Sequence, residues 1–201
     1  MTLPNVVSFG PAVLERMVRA VEAVRDRLRR ATAALEQAGV AYAVVDGNAV
    51  AAWVASVDAA AVRNTQDVDI LLRRSDLAAA TAALTAAGFI HQEVLGVEMF
   101  LDGPNAKPRD AVHVLFAGEK VEPNYLLPSP DVTNTAPGIG EGFRVLTLQS
   151  LVQMKLLSFR DKDRTQLRDL IEVGLIDASW VQQFPPELGA RLQQLLDTPN
   201  G

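Results

Sequence analysis

The stretch Arg63-Asn-Thr-Gln-Asp-Val-Asp-Ile-Leu-Leu72 is the part of the chain that most constrains its fold. Its apolar residues and their alternation predict a β-strand over 65–72, and residues two apart on a strand project from the same face. Asp67 and Asp69 are therefore expected side by side. Two adjacent carboxylates repel each other unless a cation joins them, and a hard divalent ion suits such a pair. The alternative is an ordinary solvated strand end.

A glycine turn lies twenty residues upstream of this stretch. Gly47 and Asn48 separate a short apolar strand over 40–45 from a helix predicted over 49–55. A small residue at such a turn lets backbone N–H groups at the start of a helix approach a phosphate, although Gly and Asn are also common in turns that bind nothing. Together the two segments predict a phosphate-binding turn beside a metal site, where the metal ion can bridge the oxygens of a triphosphate.

These segments resemble a known superfamily. Val44-Val-Asp-Gly-Asn-Ala-Val-Ala-Ala-Trp53, followed by Arg63-x-Thr65-x-Asp67-Val-Asp69, is similar to polymerase-beta-like nucleotidyltransferases, and most of all to small bacterial members related to abortive-infection toxins and minimal nucleotidyltransferases. A later segment, Met154-Lys-Leu-Leu-Ser-Phe-Arg-Asp-Lys-Asp163, is similar to the K-x(4)-R-x-K-D element of the same proteins. By themselves, the charges over 160–164 predict a salt-bridged helix junction.

The resemblance implies an enzyme that transfers an NMP from an NTP to an acceptor hydroxyl and releases pyrophosphate. Asp67 and Asp69 would hold Mg²⁺ or Mn²⁺, and the acceptor would be RNA, a protein or a small molecule. The residues implied to contact the nucleotide are Gly47, Asn48, Arg63, Thr65 and Lys155. Arg63 and Thr65 could instead order the acidic loop. The alternative is a degenerate member that binds a nucleotide or a protein partner without chemistry, for example in a toxin–antitoxin or defence system.

The sequence departs from the family pattern at two positions. Asp46 stands where the first glycine of the turn is expected, and its charge weakens phosphate binding unless the side chain turns away. The third carboxylate of the family is expected on a later strand, and His113 occupies that position in the predicted strand over 111–116. Asp110 is near in sequence but has the opposite strand parity.

Three roles stay open for His113. Its imidazole, with a usual pKa of about 6.5, could accept a proton from an attacking hydroxyl. It could also be a direct or indirect ligand of the metal ion, although imidazole is a poorer partner for Mg²⁺ than a carboxylate is. The third role is purely structural, at a strand end. Pairing of adjacent strands is expected to bring this side chain close to Asp67 or Asp69.

Apolar residues at steps of three and four from Leu14 to Leu35 predict an amphipathic helix over 12–38 that ends at Gly39. Such a helix either covers a sheet or forms the coiled-coil seam of a homodimer. The arginines within 25–30 predict a solvated helix face.

The order of predicted elements, β-α-β-α-β-β-β followed by helices, indicates an α+β fold: the mixed α/β sheet of a nucleotidyltransferase with packed helices and a C-terminal helical part. We divide the chain into an N-terminal helix packed on the core (1–39), an α/β core (40–121), a long loop (122–143) and a C-terminal helical part (144–201). The loop is rich in Pro, Gly and Asn and has no hydrophobic period.

Composition excludes several other classes of protein. The chain has 201 residues with no cysteine, which excludes disulfides and cysteine nucleophiles, and its two histidines disfavour a multi-histidine zinc site. A net charge of −5 argues against coating nucleic acid through bulk charge. The start, Met1–Pro11, predicts no signal peptide, and the apolar stretches are shorter than the ~20 residues of a membrane span. We therefore expect a cytoplasmic protein without membrane contact.

Overall fold

The computed structural model describes residues 10–199, so almost all of the stretch from which the absence of a signal peptide was predicted lies outside the described residues. The chain forms a five-stranded sheet flanked by helices. The helices are Pro11–Gln37 (α1), Asp46–Ala55 (α2), Leu77–Ala86 (α3), Leu148–Ser158 (α4), Asp161–Glu172 (α5) and Pro186–Asp197 (α6). The strands are Tyr42–Val45 (β1), Val68–Leu72 (β2), Ile90–Val94 (β3), Val97–Leu101 (β4) and Ala111–Phe116 (β5).

The sheet has the order β1-β2-β5-β4-β3. Strands β2 and β5 run parallel, and every other neighbouring pair is antiparallel. The parallel pair requires a long connection, which α3 and the β3–β4 hairpin supply. The prediction of a mixed sheet with packed helices is confirmed.

The sheet separates two apolar cores because successive side chains of a strand point to opposite faces. One core lies between the sheet and helices α1 and α3, and it contains Val68, Ile70 and Val112. The other lies between the sheet and helices α2, α4, α5 and α6. Asp69 and His113 alternate with the residues of the first core. Both therefore lie on the face that the C-terminal helices cover.

Helix α1 is amphipathic along its whole length, but only its second half packs on the sheet. Leu28, Ala31 and Leu35 are buried, as the helical period predicts. Leu14 and Met17, in the same stripe, are 53% and 56% exposed. The apolar stripe therefore continues beyond the part of the helix that the sheet covers.

Arg27 is an exception on the basic face of α1. The prediction that the arginines of 25–30 form a solvated face is wrong at this position, because the Arg27 side chain is buried. Its Nε donates to a carboxylate oxygen of Asp102 at 3.3 Å, and its Nη1 donates to the carbonyl of Gln66 at 3.4 Å. These bonds connect α1 to the end of β4 and to the loop in front of Asp67. A run of charges does not by itself show which member turns inward.

The chain between β5 and α4 runs along the outer edge of β1. Val145 bridges Val44 in parallel, and the Val44 N–H donates to the carbonyl of Arg144 at 2.7 Å. The indole of Trp53 donates to the carbonyl of Leu146 at 3.0 Å. Among residues 10–199, none of the helices is both long enough and apolar enough for a membrane crossing.

Candidate functional site

Asp69 and His113 lie opposite each other on the two parallel strands. The register pairs Asp69 of β2 with His113 of β5, and the Nδ1 atom of His113 is 3.9 Å from Oδ1 of Asp69. The side chains are only 14% and 23% exposed, respectively. The imidazole is therefore beside one of the two predicted aspartates, where strand alternation predicts it, at a distance longer than a hydrogen bond.

The Asp69 carboxylate accepts no hydrogen bond from the residues that the structure describes. Among the described residues, no hydrogen-bond donor reaches its oxygens, and the nearest basic nitrogen is that of His113. Burial raises the pKa of Asp69 to about 6, with a further contribution from the charge of Asp67, while the charge of Lys162 opposes the increase. A mostly buried carboxylate without a hydrogen-bond donor therefore lines this site.

Asp67 lies immediately before β2 rather than within it. The strand predicted over 65–72 begins at Val68, so the shared strand face expected for the two aspartates applies only to Asp69. The main-chain carbonyl of Asp67 accepts a hydrogen bond from Nδ2 of Asn48 at 2.7 Å. This bond holds the acidic loop against the first turn of α2. The Asn48 amide, predicted to contact a nucleotide, is used within the protein.

Gly47 allows the acidic loop to pack closely against α2, which begins at Asp46 rather than at the predicted residue 49. A Cβ atom on Gly47 would lie 2.6 Å from Oγ1 and 2.9 Å from Cβ of Thr65. Any larger residue would push the loop away. The predicted nucleotide-binding residues Gly47 and Thr65 therefore contact each other.

Arg63 connects the acidic loop to α5. Its Nε donates to Oδ1 of Asp169 at 2.7 Å, while most of the guanidinium side chain remains in solvent. Arg63, Gly47 and Thr65 line a depression of about 300 Å³ between the loop and helices α2 and α5. The Lys162 side chain borders both this depression and the larger cleft that contains Asp69.

Asp46, the first residue of α2, pairs with two lysines of the C-terminal helices. Its carboxylate accepts hydrogen bonds from Lys155 of α4 and, at 2.9 Å, from Lys162 of α5. The Asp46 backbone has a φ of +51°, in the left-handed region that favours glycine. The charge that was expected to weaken a phosphate site is thus neutralised, but by the same cations that a phosphate would use.

Asp163 is the buried centre of this ion-pair cluster. It accepts hydrogen bonds from Lys155 at 3.0 Å, from Ser158 at 2.7 Å and from the Arg160 side chain at 2.8 Å. Burial alone would raise the pKa of Asp163, but the bonds from Arg160 and Ser158 and the charge of Lys155 hold it below its usual value. Burial lowers the pKa of Lys155 to about 8, against the opposing effect of Asp163. The Lys155 ammonium, expected to bind phosphate, is almost fully enclosed.

The cleft above the sheet brings these groups together in a volume of about 460 Å³. One wall carries Asp69 and His113, and the opposite wall carries the ion-pair cluster of Asp46, Lys155, Arg160, Lys162 and Asp163. Apolar and aromatic side chains complete the lining, among them Val97, Val121, Tyr125, Leu151 and Met154.

The wall that carries Asp69 and His113 suits one hard divalent cation. Asp69 offers a carboxylate without an internal partner, and the charge of Asp67 is near enough to raise its pKa. Carboxylate oxygens are the ligands that Mg²⁺ and Mn²⁺ favour in proteins. No group of three or more acidic, histidine or cysteine side chains within residues 10–199 has the spacing of a metal centre. Water or substrate oxygens would have to complete the coordination.

Three contributors to the cleft were missed by sequence reasoning as site residues. Arg160, Lys162 and Asp163 were assigned to a helix junction, and they do occupy the junction of α4 and α5. The signal that could have identified them was the spacing K-x(4)-R-x-K-D, which brings Lys155, Arg160, Lys162 and Asp163 to one side of that junction.

No protein-family model matches the chain, and no curated protein matches it in sequence. Solved structures do share its fold. The solution structure of the antibiotic-resistance factor ANT(2'')-Ia is 12% identical, over 92% of each chain, with a TM-score of 0.52. The crystal structure of ANT(2'')-Ia in complex with adenylyl-2''-tobramycin is 13% identical, over 89% of this chain and 98% of that one, with a TM-score of 0.51.

A third similar structure is an antigenic nucleotidyltransferase-like protein from Paracoccidioides brasiliensis. It is 15% identical, over 89% of this chain and 90% of that one, with a TM-score of 0.53. The similarity in each case extends over almost the whole chain. The nucleotidyltransferase fold predicted from the sequence is therefore confirmed.

Proposed function

We propose that this protein is a metal-dependent nucleotidyltransferase that transfers an NMP from an NTP to an acceptor hydroxyl and releases pyrophosphate. The observation that carries the proposal is the Asp69 carboxylate, which lies without an internal cation in a cleft opposite a cluster of lysines. The nucleotidyltransferase fold supports it by analogy, since one fold can carry several functions and the residues of the site decide between them. The membership of the abortive-infection-related subgroup is part of the proposal.

Asp69 and Asp67 hold the divalent cation, Mg²⁺ or Mn²⁺, in this proposal. The bound ion would neutralise negative charge on the phosphates of the NTP. The Asp67 loop is kept in place by Asn48, by the contact of Gly47 with Thr65, and by the Arg63–Asp169 ion pair. Asn48, Gly47, Thr65 and Arg63 thus position the acidic loop, and their contact with the nucleotide stays a prediction.

His113 accepts the proton of the attacking hydroxyl in this proposal. Its imidazole is partly exposed to the cleft and 3.9 Å from Asp69, which would stabilise the imidazolium once the proton has arrived. A base role predicts that His113→Ala loses transfer but keeps nucleotide binding. A ligand role predicts that His113→Asp, which restores a third carboxylate, tightens Mg²⁺ binding. Unchanged metal affinity and unchanged transfer in both variants would leave His113 as a structural residue.

The opposite wall of the cleft binds the triphosphate. Lys162 and Arg160 are the partly exposed cations there, whereas Lys155 is enclosed behind Asp46. Charge-assisted hydrogen bonds from such cations are the usual means of holding phosphates. We therefore assign phosphate contacts first to Lys162 and Arg160 and, once Asp46 has moved, to Lys155.

The acceptor is RNA, a protein or a small molecule. The structure of ANT(2'')-Ia with adenylyl-2''-tobramycin is a complex with an adenylylated small molecule. The cleft of this chain contains acidic and basic side chains in similar measure and an apolar wall, which favours a small acceptor that is not strongly cationic. Small hydroxyl compounds are therefore the first acceptors to test, with RNA and protein as further arms.

The decisive experiment measures pyrophosphate release and label transfer from each of the four NTPs, with Mg²⁺ or Mn²⁺ and with each acceptor class. Asp69→Asn should reduce transfer by about a hundredfold or more, because it removes the ligand charge that the cation needs. Asp110→Asn is the matched control, since Asp110 precedes β5 and lies outside the residues that line the cleft. Equal activity of Asp69→Asn and the wild type would contradict the proposal.

A second candidate function is nucleotide or protein binding without chemistry. The observation in its favour is that the described residues contain no group of three potential ligands at metal-site spacing, even with His113 counted as a ligand. This function predicts metal-dependent NTP binding with no transfer to any acceptor. It also predicts a partner protein, such as the antitoxin of a toxin–antitoxin pair.

A homodimer is part of the same proposal. The exposed stripe of Leu14, Met17 and Val18 on the first half of α1 would be covered by a second copy. Light scattering on the wild type and on Met17→Glu tests it, and a monomer at high concentration in both would contradict it.

A further inference from the structure

Asp46 occupies an unusual position in the cleft. It is a non-glycine residue in the left-handed region at the first position of α2, and among the described residues no side chain caps that helix. A carboxylate at the first turn of a helix usually interacts with the free N–H groups of that turn. The Asp46 carboxylate instead extends toward Lys155 and Lys162.

The cations on this wall are all matched by carboxylates of the protein. Lys155 bonds to Asp46 and Asp163, Lys162 bonds to Asp46, and Arg160 bonds to Asp163. Asp69 adds a further negative charge nearby. The positive charges on this wall are therefore already neutralised when a polyphosphate enters the cleft. The polyphosphate can form ion pairs with these cations only if a carboxylate moves away from them.

Asp46 is held less firmly than Asp163, the other carboxylate of the cluster. Asp163 is fully buried, and besides the lysine it accepts bonds from Ser158 and from both the backbone N–H and the side chain of Arg160. Within residues 10–199, the hydrogen bonds to the Asp46 carboxylate come from the two lysines alone, and its side chain is 16% exposed at the cleft. Of the two, Asp46 is the carboxylate that a ligand can displace.

We infer that Asp46 is an internal counter-anion that the triphosphate must displace, so that this residue sets how much negative charge a ligand needs in order to bind. The inference rests on the proposed function only in naming the triphosphate as the ligand. A single phosphate has one group of oxygens to place on the two lysines, whereas a tripolyphosphate carries more charge over a longer span, so it can replace Asp46 on both lysines and still contact the rest of the cleft. Asp46 thus selects for triphosphates over monophosphates and lowers the affinity for both.

The test uses tripolyphosphate, without nucleoside and with EDTA present, and measures binding by calorimetry. Asp46→Asn should bind tripolyphosphate at least about tenfold more tightly than the wild type does, because Lys155 and Lys162 lose their internal partner. The preference for tripolyphosphate over inorganic phosphate should shrink. Asp161→Asn is the matched control: it removes an exposed carboxylate from the start of α5, paired with Arg164, and should leave both affinities unchanged.

Melting temperatures distinguish a variant that folds poorly from a variant whose ligand binding has changed. Without ligand, Asp46→Asn should melt at a lower temperature than the wild type, and tripolyphosphate should raise its melting temperature by more. Should Asp46→Asn fold poorly, Asp46→Gly removes the carboxylate and suits the left-handed backbone. Unchanged or weaker tripolyphosphate binding in a folded Asp46 variant would overturn the inference, as would an equal gain in Asp161→Asn.

The outcome is separable from that of the proposed function. If Asp46→Asn gains tripolyphosphate affinity and no transfer is found with any acceptor, the counter-anion inference stands and the enzymatic proposal fails. If the wild type transfers a nucleotide and Asp46→Asn gains no tripolyphosphate affinity, the enzymatic proposal stands and the inference fails. Both readouts use the complete chain.

Discussion

The two walls of the cleft differ in whether the protein itself neutralises their buried charges. On the wall formed by α2, α4 and α5, Lys155 and Asp163 are buried and have several partners each. On the wall formed by the sheet, Asp69 is also mostly buried, yet the nearest basic nitrogen is that of the His113 imidazole, 3.9 Å away. Both walls contain buried ionisable groups, but only one of them is electrostatically complete within the protein.

This difference between the walls distinguishes charged groups that stabilise the fold from charged groups that are available to bind a ligand. A buried ion keeps its charge at low cost only where hydrogen bonds and opposite charges surround it. Asp163 satisfies that condition, and its pKa stays below the usual value, whereas burial raises the pKa of Asp69 to about 6. Substitutions on the two walls should therefore change stability in opposite directions.

The largest effect is expected at Asp163. Asp163→Ala should lower the free energy of unfolding by about 3–5 kcal/mol, because it leaves Lys155 enclosed without its buried partner. Asp161 lies two residues before Asp163 and forms an exposed ion pair with Arg164. Asp161→Ala should change the free energy of unfolding by less than about 0.5 kcal/mol. Chemical denaturation of both variants measures the difference. A loss at Asp163 no larger than at Asp161 would remove the distinction between the two walls.

The second effect has the opposite sign and concerns Asp69. The pKa of Asp69 in the folded protein is about 6, above its usual value of 3.8. The folded protein therefore binds the proton more tightly than the unfolded chain does, and this contribution to stability is lost as pH rises from about 4 through 6. Without metal, wild-type stability should fall by about 2–3 kcal/mol over that window, and Asp69→Asn should be more stable than the wild type at pH 8 by a similar amount.

Unfolding curves in EDTA from pH 4 to pH 8 check this expectation. Asp131→Asn provides a control of opposite sign, because bonds from Thr133 lower the pKa of Asp131 to about 2, and an exposed group of this kind contributes stability above pH 4. Equal pH profiles of the wild type and Asp69→Asn between pH 4 and pH 6 would show that the Asp69 charge is stabilised in some other way.

A smaller effect is expected where the acidic loop meets α2. Gly47→Ala should lower the free energy of unfolding by about 1–3 kcal/mol, because the new Cβ atom would lie 2.6 Å from Oγ1 of Thr65. Gly10→Ala is the control, since a Cβ atom at Gly10 meets no atom within 4 Å. A neutral Gly47→Ala variant would mean that the loop moves freely and that Asp67 is not fixed by this contact.

The smallest effect is expected at Arg63. Its ion pair with Asp169 is mostly solvent-exposed on the arginine side, so Arg63→Gln should lower the free energy of unfolding by less than Gly47→Ala does. Arg19→Gln, in an exposed pair with Glu15 on α1, should cost less still. Denaturation in low and high salt compares them. A cost at Arg63 that does not diminish with salt would indicate a direct packing role in the acidic loop.

The sequence was sufficient for a mixed sheet and for placing His113 beside Asp67 or Asp69, and the structure identified Asp69 as the neighbour. Alternation on β2 and β5 has a period of two, so each apolar set and each polar residue is assigned to a face by counting. The same counting predicted α1, whose period of three and four is regular, although it did not show that Arg27 turns inward. Local periodicity decides these features because the backbone geometry repeats along each element.

Only the tertiary structure decided the partners of the remaining charges. Lys155 and Asp46 are far apart in sequence and meet because α4 crosses the start of α2. Asn48, Gly47, Arg63 and Thr65 were expected to contact a nucleotide, and the structure engages them in fastening the acidic loop. A sequence determines which groups are charged, but the crossing of distant elements determines which charges neutralise each other and which stay open to a ligand.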